Sequence, residues 1–318
     1  MTAPRRGRLL ILGLPYFGRL LEGVLRERGW QARYLPHPGR NPLHWAHLVW
    51  LLIRADVVYL VGSRIERGSP QDLLMRLRRR PIVIHWVGSD VQRALRQHER
   101  RAVSARIAEG AVHWSDAPWL ADELGSIGVR AEYVALPVPA VSRDTPPLPA
   151  EFRVLLYLPS VPKNRQNFDM DTLLRLPADF PDVEFTVVPS PPESLPQPLP
   201  PNLEAHSWVD DMDALYRRTS VHIRLTLHDG MSFMVLEALS RGRHVIWTFP
   251  VEGAIRACGH EAVHAALASL YERHRSGTLG LNEAGARHAL THFDFDKLAA
   301  ALDTRLQRVL TGTLPEEQ

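Results

Sequence analysis

The most constraining feature of this sequence is a repeated alternation of short apolar runs with longer segments of helical periodicity. In the first half, "RLLILG", "DVVYLVGS" and "PIVIHWVGSD" are short apolar runs that end in glycine turns. Runs of this length and composition are typical of strands buried on both faces of a sheet. The segments between them, such as "RLLEGVLRERG" and "NPLHWAHLVWLLIRA", space their apolar residues as helices do. This alternation predicts the α/β class with a parallel, doubly wound sheet.

The alternation is interrupted once, by a proline-rich segment at 136–151 that we interpret as an extended linker. It then begins again with "FRVLLYLP" and continues with "VEFTVVP" and "VHIRLTL". At 318 residues the chain exceeds the length of about 250 to 300 at which a single core stops growing. We therefore predict two tandem Rossmann-like domains facing across a cleft, with a boundary between residues 140 and 141. The sequence leaves open whether the last helix packs back on the N-terminal domain.

Composition is that of an ordinary globular protein, with 45% hydrophobic and 23% charged residues. The only cysteine, Cys258, excludes an internal disulfide framework and fits a reducing compartment. No run approaches the ~18 apolar residues of a membrane span, and we find no secretory leader. These features predict a cytoplasmic protein.

Charge is distributed unevenly between the two halves. Residues 1–150 contain 22 arginines and no lysine against 13 acidic residues, a net charge of +9. Residues 151–318 contain 16 basic and 22 acidic residues, a net charge of −6. Either the two domains have different partners, or the asymmetry is drift at solvated surfaces.

The segment "HDGMSFMVLEALSRGRHVI" at 228–246 places a carboxylate inside a strongly apolar run. Gly230 ends the preceding strand, and Ser232 is suited to cap a helix that continues to about Arg241. Within "MSFMVLEAL", Glu237 is the only ionisable side chain. Burying it unpaired would cost several kcal/mol unless hydroxyls or amides offset the loss. The alternative is an exposed Glu237 that pairs with Arg241 four residues later.

This segment resembles the signature of the large retaining family of GT-B glycosyltransferases. That signature has two acidic residues with seven between them, followed by an alanine and a glycine, and Asp229 and Glu237 match its spacing. The resemblance implies that Glu237 binds the ribose hydroxyls of a nucleotide-sugar donor and that Asp229 contacts the donor sugar. The family usually has glutamate at the first position, so Asp229 is a departure that affects the sugar contact rather than the nucleotide site.

The resemblance extends over most of the chain. "GLPYFGRLLEGVLRERGW" resembles the family's opening glycine loop and helix, and "ADVVYLVGS" and "IHWVGSDV" are similar to two strands of its N-terminal domain. "SDAPWLADELGSIGVRAEYVALPVP" resembles the end of that domain. The implied activity is transfer of a sugar, with retention, from a nucleotide-sugar to a glycan, lipid-linked or small-molecule acceptor, as in polysaccharide biosynthesis.

Two sets of groups are expected to hold the donor's phosphates. A helix N-terminus presents free amides and a partial positive charge, which suits a diphosphate. We therefore expect the backbone of Gly230, Met231, Ser232 and Phe233 to bind the nucleotide.

The family also places an arginine and a lysine after the first strand of its second domain, where they neutralise the donor diphosphate. Here "LPSVPKNRQNF" offers Lys163 and Arg165, while Ser160 stands about where the arginine is expected. Cations are needed at this point because the departing diphosphate gains negative charge in the transition state. Surface solvation is the alternative role of these two side chains.

In the N-terminal half, "HWVGSD" stands where the family often has His-Gly-x-Asp. Here Val87 precedes the glycine, and His85 lies two residues earlier on the same strand face. His85 and Asp90 are candidates to reach the donor sugar or the acceptor hydroxyl, although His85 fits a structural role equally well. Gly13, in "GLPYFG", would let the backbone approach a ligand.

No metal and no organic cofactor are expected. "DMD" occurs twice and "DFD" once, in unrelated contexts that indicate chance, and none of the fifteen histidines has zinc-site spacing. The diphosphate itself is a sufficient acceptor for the proton of the attacking hydroxyl, so no side-chain base is required. We therefore expect a metal-independent transferase.

The basic half is where the GT-B fold binds acceptors. "LLMRLRRRP" and "QRALRQHERRAVSAR" concentrate positive charge, and "HWAHLVWLLIR" adds tryptophans typical of membrane interfaces. They fit an acidic glycan, or a lipid-linked acceptor reached by peripheral association with the anionic inner face of a membrane. A buried helix is the other interpretation of the tryptophans. Nucleic acid is not predicted as a partner, since no recognition motif accompanies the charge.

Three other functions remain open at this point. A nucleotide-sugar epimerase has the same two-domain architecture. A non-catalytic glycosyltransferase-like subunit would also accommodate Asp229 and the serine at position 160. A Rossmann dehydrogenase is the third, but its G-x-G-x-x-G fingerprint is absent.

Overall fold

The computed structural model describes residues 6–37, 39, 41–77, 80–139 and 141–312, and for Pro162 and Lys163 it describes the backbone only. The chain divides into two compact units. Unit 1 comprises Met1–Pro137 and Asp296–Gln318, and unit 2 comprises Val138–Phe295. Each unit contains a six-stranded sheet with flanking helices. The predicted α/β class with two tandem Rossmann-like domains is therefore confirmed.

Unit 1 has its six strands in the order β2-β1-β3-β4-β5-β6, all parallel. The strands are β1 Arg8–Gly13, β2 Gln31–Tyr34, β3 Val57–Val61, β4 Ile82–Trp86, β5 Val112–Ser115 and β6 Ala131–Tyr133. The helices are α1 Pro15–Glu27, α2 Pro42–Arg54, α3 Pro70–Leu77, α4 Ser89–Glu99, α5 Ala105–Gly110 and α6 Pro118–Ser126.

Unit 2 has the order β12-β11-β10-β7-β8-β9, again all parallel. The strands are β7 Arg153–Tyr157, β8 Glu184–Val188, β9 Leu203–Ala205, β10 Val221–Arg224, β11 His244–Trp247 and β12 Ala254–Arg256. The helices are α7 Pro162–Arg165, α8 Met170–Asp179, α9 Met212–Arg217, α10 Phe233–Ser240, α11 His260–Arg275 and α12 Glu283–His292. The last helix of the chain, α13, spans Phe295–Thr311.

The central strands are apolar because helices cover both faces of each sheet. Strands β3 and β4 are buried at every position. Such strands carry Val, Ile and Leu continuously rather than in alternation. Because all strands are parallel, their carboxyl ends meet at one edge of each sheet, where open α/β sheets bind ligands.

The proline-rich segment before β7 is fixed to unit 2 by the fully buried Arg243. The Arg243 guanidinium donates hydrogen bonds to the carbonyls of Pro146, Pro147 and Thr219. Burial lowers the pKa of Arg243 to about 10. The contacts hold this stretch in an extended path, because proline excludes it from helix and sheet interiors.

The C-terminal helix α13 belongs to unit 1. Asp303 on this helix accepts a hydrogen bond of 2.7 Å from the indole nitrogen of Trp30 and forms an ion pair with Arg6. Of the described helices, none combines the length and the apolar character required to cross a membrane.

Candidate functional site

The carboxyl edge of the unit 2 sheet brings two loops together. Strands β7 and β10 are neighbours, and the loop that follows β7 pairs with the loop that follows β10. The amide of Leu227 donates to the carbonyl of Asn167 at 2.8 Å, and the amide of Asp169 donates to the carbonyl of Leu225 at 3.2 Å. The loop that carries Arg165 is thus joined to the loop that leads to Asp229.

Helix α10 begins and ends where its sequence predicts. Ser232 is the N-cap, and its hydroxyl accepts a hydrogen bond from the amide of Val235 at 3.4 Å. Arg241 is the C-cap and is followed by Gly242, whose φ of +70° is a left-handed conformation that favours glycine. The backbone amides at the start of a helix lack intrahelical acceptors, so this turn offers donors at the carboxyl edge of the sheet.

Glu237 lies in the second turn of α10 and is partly buried. Its carboxylate accepts a hydrogen bond of 2.9 Å from the hydroxyl of Tyr216, a fully buried residue of α9. Burial raises the pKa of Glu237, while the Tyr216 hydrogen bond and the charge of Arg241 act in the opposite direction. The carboxylate retains further lone pairs with which to accept hydrogen bonds.

Arg241 supports this arrangement from the end of the helix. Its guanidinium donates to the backbone carbonyl of Glu237 at 3.0 Å and to the carboxylate of Asp213 at 2.8 Å. It also lies over the ring of Tyr216, 5.1 Å from the ring centre. These contacts fix Tyr216, and therefore the hydroxyl that orients Glu237.

Asp229 forms an ion pair that the sequence does not predict. The Nε of Arg224, the last residue of β10, donates to the carboxylate of Asp229 at 2.7 Å. The hydroxyl of Thr226 donates to the same carboxylate oxygen at 3.3 Å. Both charged side chains are mostly buried, with 12% of Arg224 and 18% of Asp229 exposed.

Arg224 is held against two aromatic rings. Its guanidinium lies 4.3 Å from the ring centre of Tyr157 at the end of β7, and 5.5 Å from that of Phe168. Burial is the largest single influence and acts to lower the pKa of Arg224, but Asp229 and Tyr157 together raise it by more. Arg224 therefore stays charged beside Asp229 and belongs to the candidate site. In the sequence, the only indication of this role is that Arg224 lies at the end of a buried strand, five residues before Asp229.

The sequence predicts that Arg165 binds a diphosphate, but in the structure its guanidinium is bound mainly by protein acceptors. Its side chain is 9% exposed. The guanidinium donates to the carbonyls of Pro159 and Ser194 and to the hydroxyls of Ser190 and Ser194. Four of its five N–H groups therefore have protein acceptors, which fix the loop after β8 to the loop after β7. The side chain of Lys163 lies outside the described part of the structure.

In unit 1, His85 occupies the interior of strand β4 and is fully buried. The Tyr59 hydroxyl lies 2.5 Å from its Nδ1, and Trp114 packs edge-on against its ring. Burial lowers the pKa of His85 to about 3. This environment is that of a neutral structural histidine.

Asp90 and Gly13 both lie at the carboxyl edge of the unit 1 sheet. Asp90, on the first turn of α4, is 5% exposed and accepts hydrogen bonds from the amides of Val87 and Val91. Burial raises the pKa of Asp90 to about 6 despite these amides. Gly13 has a φ of +113°, and a Cβ there would lie 2.0 Å from the carbonyl oxygen of Val61. The glycine is thus required for the close approach of β1 and β3.

The structure therefore brings Asp229, Glu237 and the residues between them together in unit 2, beside the loop that bears Lys163 and Arg165. His85, Asp90 and Gly13 belong to unit 1. Among the described residues, no cluster of three or more histidine, cysteine or acidic side chains is placed to hold a metal ion.

No family model and no curated protein sequence matches this chain. Solved structures do match. Sucrose-phosphate synthase from Thermosynechococcus elongatus has a TM-score of 0.72 at 12% identity, over 97% of this chain and 100% of that one. The pneumococcal O-GlcNAc transferase GtfA, in complex with UDP and GlcNAc, has a TM-score of 0.54 at 14% identity, over 80% of this chain and 57% of that one.

A putative UDP-N-acetylglucosamine 2-epimerase from Listeria monocytogenes is also similar, with a TM-score of 0.53 at 10% identity, over 98% of this chain and 99% of that one. The matched transferases are GT-B glycosyltransferases. At these identities the similarity defines the fold. The chain has the GT-B fold of two Rossmann-like domains, as the sequence resemblance implies.

Proposed function

We propose that this chain is a glycosyltransferase that moves a sugar, with retention, from a nucleotide-sugar donor to an acceptor. The observation that carries the proposal is Glu237, a partly buried carboxylate at the carboxyl edge of the unit 2 sheet. Tyr216 supplies one hydrogen bond and fixes the carboxylate, but it does not use up its acceptor capacity. Two vicinal ribose hydroxyls are suitable donors for what remains.

In this proposal the donor's phosphates lie at the start of α10. The amides of Gly230 to Phe233 bind them, aided by the positive end of the helix. Lys163 supplies the cation for the leaving diphosphate. Arg165 contributes by fixing the loop that carries Lys163, because most of its own N–H groups are already bound.

Arg224 positions Asp229 for the sugar contact proposed for it. A carboxylate that contacts a donor sugar must be held in one orientation, and the bond from Arg224 provides this. Asp is one methylene shorter than the glutamate usual at this position, and Arg224 fixes it close to the end of β10. We expect Asp229, held in this orientation, to contact the donor sugar.

The acceptor binds to unit 1 in this proposal, and its basic surface favours an anionic glycan or a lipid-linked acceptor. The attacking hydroxyl loses its proton to the departing diphosphate, so the proposed transfer needs neither a metal nor a side-chain base. UDP-sugars are the first donors to test, because the similar pneumococcal transferase was crystallised with UDP.

The test is product analysis with a panel of UDP-, GDP-, ADP- and TDP-sugars. We expect slow release of the nucleoside diphosphate from one donor by the full chain, and loss of this release in Glu237→Ala. Glu272→Ala, which removes an exposed glutamate of α11, is the matched control and should behave as wild type. Donor binding without any turnover would instead indicate a non-catalytic subunit.

An epimerase is the second candidate, because the Listeria protein has this fold over nearly the whole of both chains. Incubation with donor alone separates the two functions. An epimerised nucleotide-sugar formed without any acceptor would overturn the transferase proposal.

A further inference from the structure

Helix α2 is almost entirely apolar, yet the structure buries none of its residues. Leu43 and Ile53 are each 75% exposed, and Trp50 is 49% exposed. The segment contains no acidic residue. Leaving this much apolar surface in water is unfavourable, and on monomeric proteins such patches mark interaction sites.

The exposed apolar side chains form one continuous face. Leu43, Ala46, Trp50 and Ile53 follow the three- and four-residue spacing that puts side chains on the same side of a helix. The opposite side, with Leu48 and Leu51, is only partly covered by the sheet. This face is therefore directed away from the core of unit 1.

A basic pocket adjoins the last turn of α2. It has a volume of about 400 Å³ and is lined by Trp50 and Leu51, by strands β1 and β2, and by four arginines: Arg8, Arg26, Arg33 and Arg54. Arg8 pairs with Asp56, and Arg26 pairs with Glu22. For Arg33 and Arg54, no ion pair with another described residue is present.

Exposed apolar side chains are also present on the next helix. In the order β2-β1-β3-β4, the connections through α2 and α3 cross the sheet in the same direction, so right-handed crossovers place both helices on the same face. Leu73 and Leu77 of α3 are 55% and 76% exposed. This side of unit 1 thus presents exposed leucine, isoleucine and tryptophan side chains on the two helices α2 and α3.

We propose that this face docks unit 1 on an anionic lipid bilayer. The apolar side chains of α2 enter the boundary between headgroups and acyl chains, where tryptophan is favoured. Arg33 and Arg54 then bind lipid phosphates through the pocket beside Trp50. Unpaired positive charge next to an apolar helix without acids complements a bilayer of negative surface potential. If two copies of the chain associated through this face, the same arginines would lie close together and repel each other.

The inference goes beyond the proposed transfer reaction and is independent of it. The test is flotation of the full chain, without any donor, on vesicles of phosphatidylcholine alone and of phosphatidylcholine mixed equally with phosphatidylglycerol. We expect binding to the mixed vesicles, weaker at high salt because the attraction is screened. Ile53→Asp and the double variant Arg33→Gln/Arg54→Gln should each bind at least tenfold more weakly.

Matched controls lie in unit 2. Trp208→Asp alters a tryptophan that is 73% exposed, and Arg175→Gln/Arg287→Gln removes two exposed arginines. Both should float as wild type does, and circular dichroism should show all variants folded, since every altered side chain is exposed.

Five results would overturn the proposal. The first is no binding of the wild-type chain to the mixed vesicles, and the second is unchanged binding in Ile53→Asp. Equal binding to neutral vesicles would remove the role of the arginines. Calorimetric binding of inorganic phosphate without vesicle binding would indicate a free-anion site, and self-association lost in Ile53→Asp would indicate a dimer interface.

Discussion

Asp90 in unit 1 and Glu237 in unit 2 are desolvated carboxyl groups at the carboxyl edges of their sheets. Burial raises the pKa of each, so the folded chain holds these groups at a cost in stability. Desolvated carboxyl groups at the carboxyl ends of parallel strands are more typical of binding sites than of structural positions. Both residues therefore stay candidates for contact with substrates, Glu237 with the nucleotide and Asp90 with the donor sugar or the acceptor.

The raised pKa of Asp90 predicts the direction of a pH effect on stability. Between the unfolded pKa of about 4 and the folded pKa of about 6, the native state keeps a proton that the unfolded chain has lost. The free energy of unfolding should therefore fall by about 3 kcal/mol as pH rises through this window, relative to Asp90→Asn. Denaturant titration of both proteins from pH 4 to pH 7 measures it. A difference that does not change with pH would contradict the assignment.

The pair of Arg224 and Asp229 predicts a strong energetic coupling. Asp229→Ala leaves a mostly buried guanidinium unpaired, so it should lower the free energy of unfolding by about 3 kcal/mol. Adding Arg224→Met should recover much of this loss, because Met fills the space between Tyr157 and Phe168 without a charge.

A double-mutant cycle from urea unfolding measures the coupling. The exposed pair of Arg287 and Glu283 is the control and should couple by less than about 0.5 kcal/mol. Additive effects of Arg224→Met and Asp229→Ala would show that the ion pair does not position Asp229.

At the scale of elements, helix α10 could be predicted almost to the residue, because its cap, its apolar run and its final glycine are all local signals. Tyr216 and Arg224 could not be assigned to the site from sequence. Tyr216 reaches Glu237 across 21 positions of the chain, through the packing of α9 on α10. Arg224 is brought against Tyr157 by the pairing of β10 with β7.

The contacts of Arg165 could not be predicted either, since three of its four acceptors lie in the proline-rich loop after β8. Composition predicts that this loop is irregular but not which carbonyls it presents. The sequence motif thus predicts that a cation follows β7, at Arg165. It does not predict whether the N–H groups of that side chain are already bound by the protein.

Variants of the loop after β7 should distinguish the structural role of Arg165 from the role in catalysis proposed for Lys163. Arg165→Ala removes donors from buried acceptors and should lower the free energy of unfolding by about 2 to 4 kcal/mol. Lys163→Ala should leave stability within about 0.5 kcal/mol of wild type and reduce kcat by about 100-fold. Thermal unfolding together with donor turnover distinguishes them. A destabilised Lys163→Ala, or an Arg165→Ala that is stable but inactive, would reverse the two roles.

At the scale of the whole molecule, the two Rossmann-like domains follow from the alternation of strands and helices. The exposure of α2 could not be predicted from the sequence, since an apolar 13-residue helix fits a buried position as well as a membrane interface. Only the structure shows that its tryptophans lie at the surface of unit 1. The functional expectation likewise combines a local motif in unit 2 with a fold shared across most of the chain.

The most direct test of a metal-independent nucleotide site at Glu237 is calorimetric titration of the full chain with UDP, GDP, ADP and TDP, with and without EDTA. We predict that one of them binds, that EDTA leaves its affinity unchanged, and that Glu237→Gln weakens it by roughly 10- to 100-fold through lost hydrogen bonds to a charged group. Binding by none of the four, binding that requires a divalent metal, or equal affinity in Glu237→Gln would contradict the proposed nucleotide site.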